Sequence, residues 1–180
     1  TYMKAKIGGV EGRKLQKDDV IKFRKPNPDL RGLNIRHISP EFVPRLEYKL
    51  RVVLGPQDDM FTEHGIETFL SESYVVTPEF DRMGCRMYCP AIQHKNGGDI
   101  ISDGIAAGSV QIPASGKPIV LMADRQTTGG YAKIATVTPC DLWRLAQPRP
   151  GTKIRFERVT LAAAQKLRAR AEKEYRRLAQ

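Results

Sequence analysis

Four short stretches of this 180-residue chain gather polar side chains beside glycine or proline: GPQDDMF at 55–61, DRMGCRM at 81–87, SDGIAAGSVQIPASGKPIVL at 102–121 and DRQTTGGY at 124–131. The last joins two apolar runs, PIVLMA and AKIATV. Gly129 and Gly130 alone account for a hairpin tip. A tip does not require Asp124, Arg125, Gln126, Thr127 and Thr128 as well. Those residues offer a charge pair, an amide and two hydroxyls in one place, with Tyr131 at the end. Backbone N–H groups at the two glycines could face an oxyanion. No GK[ST] follows, so the segment is not a Walker loop.

The other stretches carry fewer groups, each with a plainer use. In GPQDDMF, Gln57 is an amide donor for a cleft, or the stretch is a strand-to-helix turn capped by Asp58 or Asp59. In DRMGCRM, Arg82 or Arg86 is a fork for a carboxylate, or either pairs with Asp81 as a structural bridge. Gly104 and Gly108 permit positive φ or close backbone approach, and PASGKP is a turn. Gln111 lies within an apolar strand, where a polar side chain must find a hydrogen-bond partner or a ligand. There is no GxSxG, and His37, His64 and His94 all fall outside these stretches. Chemistry here would therefore rest on positioning and hydrogen bonding. Cys85, Cys89 and Cys140 form no CxxC pair, so no metal site is expected. Reduced thiols in a cytoplasmic protein are the plain reading.

Many short strands must position these residues. TYMKAKIGG alternates as a half-buried strand would, and a second strand is expected at 20–24. Pro26, Pro28, Pro40 and Pro44 then mark a linker. LEYKLRVVLG is a strong strand, MFTEHGIETFLS a short helix, and SYVVTP a strand closed by Pro78. Further strands are expected around Met87 and at 109–112, 118–123, 132–138 and 153–158. PCDLWRLAQ reads as a short helix started by Cys140 or Asp141 and stopped by Pro148. Residues 161–180 form a terminal helix with Thr160 as N-cap, and Leu161, Ala164, Leu167, Ala171, Tyr175 and Leu178 share roughly one face. Strands of this number and length, separated by Gly and Pro, point to a barrel or sandwich.

Composition narrows the class. Hydrophobic residues make up 41% of the chain, a globular proportion. No apolar run approaches the about 18 residues that span a membrane, and no signal peptide is visible. The chain starts at Thr1, as expected of a fragment. Net charge is +10, but residues 1–51 carry +7, 161–180 carry +4, and 52–160, which hold the motifs, carry −1. The basic ends hold few aromatics, which argues against sequence-independent nucleic-acid binding; a contact through the basic ends is the weakest of three readings.

Taken together, RVVLGPQDDMF, DRMGCRM, SDGIAAGSVQIPASGKPIVLMADRQTTGGYAKIATV and LAQPRPGTKIRF resemble the biotin-dependent carboxyltransferase family, also called allophanate hydrolase subunit 2. That family includes the carboxyltransferase region of urea amidolyase and the C-subunit of bacterial 5-oxoprolinase. The resemblance runs from about Arg51 to Phe156, and its specificity comes from the order and joint presence of four motifs. It implies a mainly β, cyclophilin-like β-barrel with short helices and a C-terminal α-helix. Residues 1–25 then end a preceding family domain, 26–44 form a linker, 45–159 the carboxyltransferase domain and 160–180 a basic helix. The resemblance further implies pairing with a homologous subunit 1, in a complex that also holds a biotin carboxylase or a LamB/YcsF-type subunit. The activity would be carboxyl transfer from carboxybiotin on a partner carrier to a small amide such as urea, or ATP-dependent 5-oxoproline cleavage. On this reading Gln126, Thr127 and Arg125 are the catalytic candidates. Gln57, Arg82, Gln111, Thr128, Gly129, Gly130 and Tyr131 are the binding candidates. Met87-Tyr88-Cys89-Pro90 departs from the usual leucine-glycine-proline continuation, and the family's glycine-rich N-terminal part lies outside this sequence. The rival class is a non-enzymatic protein that sequesters a subunit-1-like histidine-kinase inhibitor.

Overall fold

A computed structural model describes Met3 and residues 5–22 and 43–178, which fall into two compact units, Thr1–Phe42 and Val43–Gln180. In the first unit the alternating stretch at the start does not make a strand over its described residues. Ala5 and Lys6 form a turn and Ile7 makes a lone bridge. Positive φ at Lys6, Gly8 and Gly9 prevents extension there. Residues 20–22 are also irregular, with Val20 82% exposed; the rest of that expected strand, and the linker up to Phe42, lie outside the described residues. Arg13 grips Asp19 through two 2.8 Å hydrogen bonds, which holds the Asp19 carboxyl at about 2.

The second unit is a closed seven-stranded barrel with a separate two-stranded ribbon. Its strands are β1 (Glu47–Leu54), β2 (Tyr74–Phe80), β3 (Gly84–Tyr88), β4 (Asp99–Gly104), β5 (Ser109–Gln111), β6 (Ile119–Leu121), β7 (Thr128–Tyr131), β8 (Lys133–Val137) and β9 (Lys153–Arg158). The barrel runs β1-β8-β5-β6-β3-β2-β9, and the ribbon pairs β4 with β7. Closure comes from β1, which is antiparallel to β8 on one side and parallel to β9 on the other, from Glu47↔Lys153 to Val52↔Arg158. The period-two pattern of EYKLRVVL and KIRFER sends Leu50, Val52, Ile154 and Phe156 inward. The mainly β barrel with short helices and a terminal helix expected from the sequence is the fold that forms.

Helix α1 (Glu63–Ser71) covers part of this core. Its Phe69 stacks on Phe156 with ring centroids 4.6 Å apart, and the buried Tyr74 hydroxyl donates to the carbonyls of Thr68 and Phe69. Thr62 caps α1 by accepting from the Gly65 N–H at 2.9 Å. Neither Asp58 nor Asp59 caps it; both lie inside a 3-10 turn at Asp58–Met60. Pro78 does not close β2. The strand runs on to Phe80, and its pairing with β3 shifts register between Val76 and Phe80, where a missing N–H costs no regular ladder bond.

A second 3-10 segment, Pro139–Ala146, starts after Thr138, ahead of Cys140 and Asp141. It is anchored by the fully buried Asp141, which accepts from the Arg51 backbone N–H at 2.9 Å and from its guanidinium at 2.8 and 2.6 Å, and pairs with Arg144. Burial opposes charge on Asp141, but the Arg51 hydrogen bonds outweigh it and hold the carboxyl below its ordinary value. Helix α2 (Leu161–Leu178) begins at the Thr160 cap, whose hydroxyl accepts from Ala163 N–H. Its expected apolar face is only partly covered: Ala164 is buried and Leu167 and Ala171 are half-buried, while Leu161 is 62% and Tyr175 50% exposed.

A Cβ on Gly65 would lie 2.3 Å from the backbone oxygen of Gln93, whereas one on Gly104 would meet nothing within 4 Å. Overpacking against rigid backbone outweighs the ~1 kcal/mol helix-propensity gain of alanine. Gly65→Ala is therefore expected to lower stability by about 1–3 kcal/mol, and Gly104→Ala to change it by no more than ~0.5 kcal/mol. Urea denaturation of the two variants measures the difference.

Candidate functional site

The segment DRQTTGGY is not a hairpin tip. β6 and β8, the strands it joins, do not pair with each other; both pair with β5, which lies between them. The chain leaves β6, turns at Ala123 and Asp124, and then forms β7 against β4, with Asp103 opposite Gly129 and Gly104 opposite Thr128. The glycines therefore lie within a ribbon strand that runs through Ala132 into β8. This use of Gly-Gly has no hairpin periodicity, because its partner β4 lies more than twenty residues upstream and is almost wholly exposed.

Where β7 enters β8, three parts of the chain converge. Gly55, at φ +98°, turns the chain out of β1, and its N–H bonds to the Ile134 carbonyl at 2.9 Å. Gln57 then docks on Lys133 twice: its N–H donates to the Lys133 carbonyl, and its side-chain oxygen accepts the Lys133 N–H, both at 3.1 Å. That second bond fixes the amide orientation and aims Nε2 at Asp103 Oδ2, 3.1 Å away. The same Oδ2 accepts from Lys133 Nζ at 2.8 Å, and Oδ1 accepts from the Gly104 N–H at 2.7 Å. Lys133 is 1% exposed, whereas the Asp103 side chain is 52% exposed, so the pair runs from the interior to the surface. The Lys133 hydrogen bond, then those from Gly104 and Gln57, hold the Asp103 carboxyl below its ordinary value.

Gln111 is 4% exposed and lies directly across from Lys133 in the β5–β8 pairing. Its Nε2 reaches the Tyr131 carbonyl at 3.4 Å, a long bond. A Cβ on Gly129 would come within 3.1 Å of that nitrogen and 2.7 Å of Ile105 Cδ1, so glycine keeps this ribbon strand close to the barrel.

Of the ten residues chosen from sequence, Gln57, Gln111, Gly129 and the Tyr131 backbone meet in this cluster, with Thr128 next to Gly129 and opposite Gly104. Gly130 lies in the same strand, facing the Ile100 carbonyl. Arg125 ties the turn to the ribbon, its Nε donating to the Ile105 carbonyl at 3.0 Å. Gln126 and Thr127 are exposed and their side chains make no hydrogen bond among the described residues; the Thr127 carbonyl accepts from the Ile105 N–H. Arg82 is held by Asp124 through bonds of 2.6 and 2.9 Å, so the fork considered for a substrate carboxylate already grips one from the protein. Asp81 pairs with neither arginine and instead accepts the N–H groups of Met83 and Gly84. Arg86 lies near Glu79.

Lys133 and Asp103 were missed by the reading from sequence. The signal for Lys133 was present in AKIATV, as the one charge in an apolar strand, by the argument that singled out Gln111. The buried thiols do not offer a nucleophile: burial pushes Cys85 up to about 12 and Cys89 up to about 11.

The carboxyltransferase domain family, subdomains A and B, matches residues 1–158. The 5-oxoprolinase C-subunit of Haemophilus influenzae is 37% identical over 172 residues, covering 96% of this chain and 54% of that protein. That of Escherichia coli is 32% identical over 181 residues, covering 99% and 56%. The chain thus spans about half the length of these curated relatives. The solved structure of K. lactis urea amidolyase superposes with a TM-score of 0.68 at 23% identity, over 75% of this chain and 9% of that one, a likeness of fold.

If Lys133 sets the Asp103 charge, carbon NMR of the Asp103 carboxyl will show a midpoint below the ordinary ~3.9. Lys133→Met will move it upward; an unmoved midpoint would remove Lys133 as the cause.

Proposed function

The chain belongs to the carboxyltransferase domain family, subdomains A and B, and on that premise we propose that it is the barrel-bearing part of a subunit in an enzyme complex acting on a small amide. The substrate is urea in a biotin-dependent carboxyl transfer, or 5-oxoproline in an ATP-dependent ring opening. The observation that carries the reading is the convergence of Gln57, Gln111 and the Gly129 backbone, from segments far apart in the chain, on one buried lysine. Such a set brings two buried donors, the Lys133 ammonium and the Gln111 amide, to a cluster that opens to solvent at Asp103, and preorganised donors of this kind polarise an amide or ureido oxygen. The relatives named as 5-oxoprolinase C-subunits support the 5-oxoproline form over the urea form by their higher identity.

The donor set also fits biotin, whose ureido carbonyl has the same hydrogen-bonding character as a substrate amide. Gln111 would hold that group beside Lys133, with Gln57 steadying Asp103 next to them, and carboxybiotin, when bound, would supply the carboxyl group. The exposed side chains of Gln126 and Thr127, at the head of the ribbon, orient the second reactant, while Arg125 fixes the turn that presents them. ATP is engaged elsewhere in the assembled complex, which is completed by a homologous subunit 1 together with a biotin carboxylase or a LamB/YcsF-type subunit.

Reconstitution of the full-length protein with its partner subunits, followed by ATP turnover with urea and with 5-oxoproline, tests the reading. Turnover with 5-oxoproline is expected, and Gln126→Ala is expected to reduce it at least tenfold, about 1.4 kcal/mol in barrier. Wild-type turnover in that variant would remove Gln126 from the site. Failure of both substrates in the complete assembly would contradict the proposed function.

A further inference from the structure

We infer that Lys133 is the oxygen anchor of this site, and that it takes a neutral amide or ureido carbonyl while Asp103 keeps its own hydrogen bond to the same nitrogen. The inference rests on the reading above and specifies its ligand. An ammonium carries three N–H donors. Among the described residues one acceptor serves them, Asp103 Oδ2 at 2.8 Å. Lys133 is 1% exposed, so its remaining two donors are withdrawn from the bulk water that satisfies a surface lysine. The direction in which they can be reached is given by Asp103, whose half-exposed side chain opens the cluster to solvent.

Charge then selects the ligand. Lys133 and Asp103 neutralise each other, and Gln57, Gln111, Thr128 and Gly129 around them carry no charge. A bound carboxylate would place a second anion beside Asp103 against a single cation, and the two anions would repel. A carbonyl oxygen adds an acceptor without adding charge. The neighbours favour the same choice. Gln57 is used at both ends, by the Lys133 N–H and by Asp103, and so holds the carboxylate in place. Gln111, across the β5–β8 ladder from Lys133, has only a 3.4 Å bond to the Tyr131 carbonyl and supplies a second amide donor. Gly129 keeps any side chain off that amide. Lys133 and Gln111 are thus the groups that bind, and Asp103 and Gln57 are positioning residues.

The test uses the full-length protein with its partner subunit, 2-imidazolidone as a neutral ureido probe and acetate as an anionic one, with affinities measured by titration calorimetry. Wild type is expected to bind 2-imidazolidone without competition from acetate, and Lys133→Met to weaken that binding at least tenfold. Asp103→Asn keeps an oxygen acceptor for Lys133 Nζ but removes the negative charge, which leaves the site with a net positive charge, and acetate should then compete. The Asn variant therefore carries the test should the buried Met variant fail to fold. Absence of 2-imidazolidone binding to wild type, or affinity retained within twofold in a folded Lys133→Met, would overturn the inference. So would equal competition by acetate against wild type and Asp103→Asn. Turnover without Lys133-dependent binding overturns this inference alone, whereas Lys133-dependent binding without turnover overturns only the proposed reaction.

Discussion

Six residues of β1 lie in parallel register with six of β9, and this seam is the constraint on which the rest of the unit depends. Without it the sheet has two open edges, at β1 and β9; with it, both edges are satisfied and an interior exists. Leu50, Val52, Ile154 and Phe156 flank the seam from inside. Phe156 in turn gives Phe69 of α1 and Tyr74 of β2 a surface to pack on. Because β1 also pairs with β8, the seam fixes where β8 begins, and β8 begins with Lys133.

The site follows from what happens at that point. A lysine at the start of an interior strand cannot reach water along its whole length, and an unpaired buried ammonium is costly. The protein answers with a ribbon that brings Asp103 over the barrel and a loop that braces Asp103 with Gln57. The glycines of β7 let the ribbon approach closely enough for this to work. Function and stability therefore meet at one nitrogen: the groups that make Lys133 tolerable in the fold also leave it with spare donors beside two amides. Arg82 and Asp124, more exposed and matched to each other, tie the turn after β6 back to the β2–β3 turn, which gives the Arg82 fork a protein carboxylate as its partner.

Much of this barrel was legible in the sequence because period-two patterning and Gly/Pro punctuation report strands directly. β1 and β9 alternate cleanly, α1 and α2 have helical composition, and α2 carries its expected threonine cap. What could not be read was pairing at long range. ISDG and TTGG carry no apolar alternation, since the ribbon they form is solvent-exposed on most of its surface, and neither β4 nor β7 was expected. For the same reason the glycine pair looked like a hairpin tip: local geometry was correct for a turn, but the partner strand lay elsewhere. Gln111 was found because a lone amide in an apolar strand demands a partner. Lys133 met the same criterion and was passed over, and Asp103, an ordinary surface aspartate by its neighbours, had no signal until the ribbon placed it over Lys133.

The central claim is that one charge pair, between buried Lys133 and half-exposed Asp103, holds the glycine ribbon onto the barrel and thereby assembles the site. Amide hydrogen exchange in Asp103→Ala, compared with wild type, tests it most directly. The account predicts faster exchange confined to β4, β7 and the Ile105 N–H, with protection of β1, β5, β8 and β9 retained. Unchanged ribbon protection, or a uniform loss across the barrel, would contradict it.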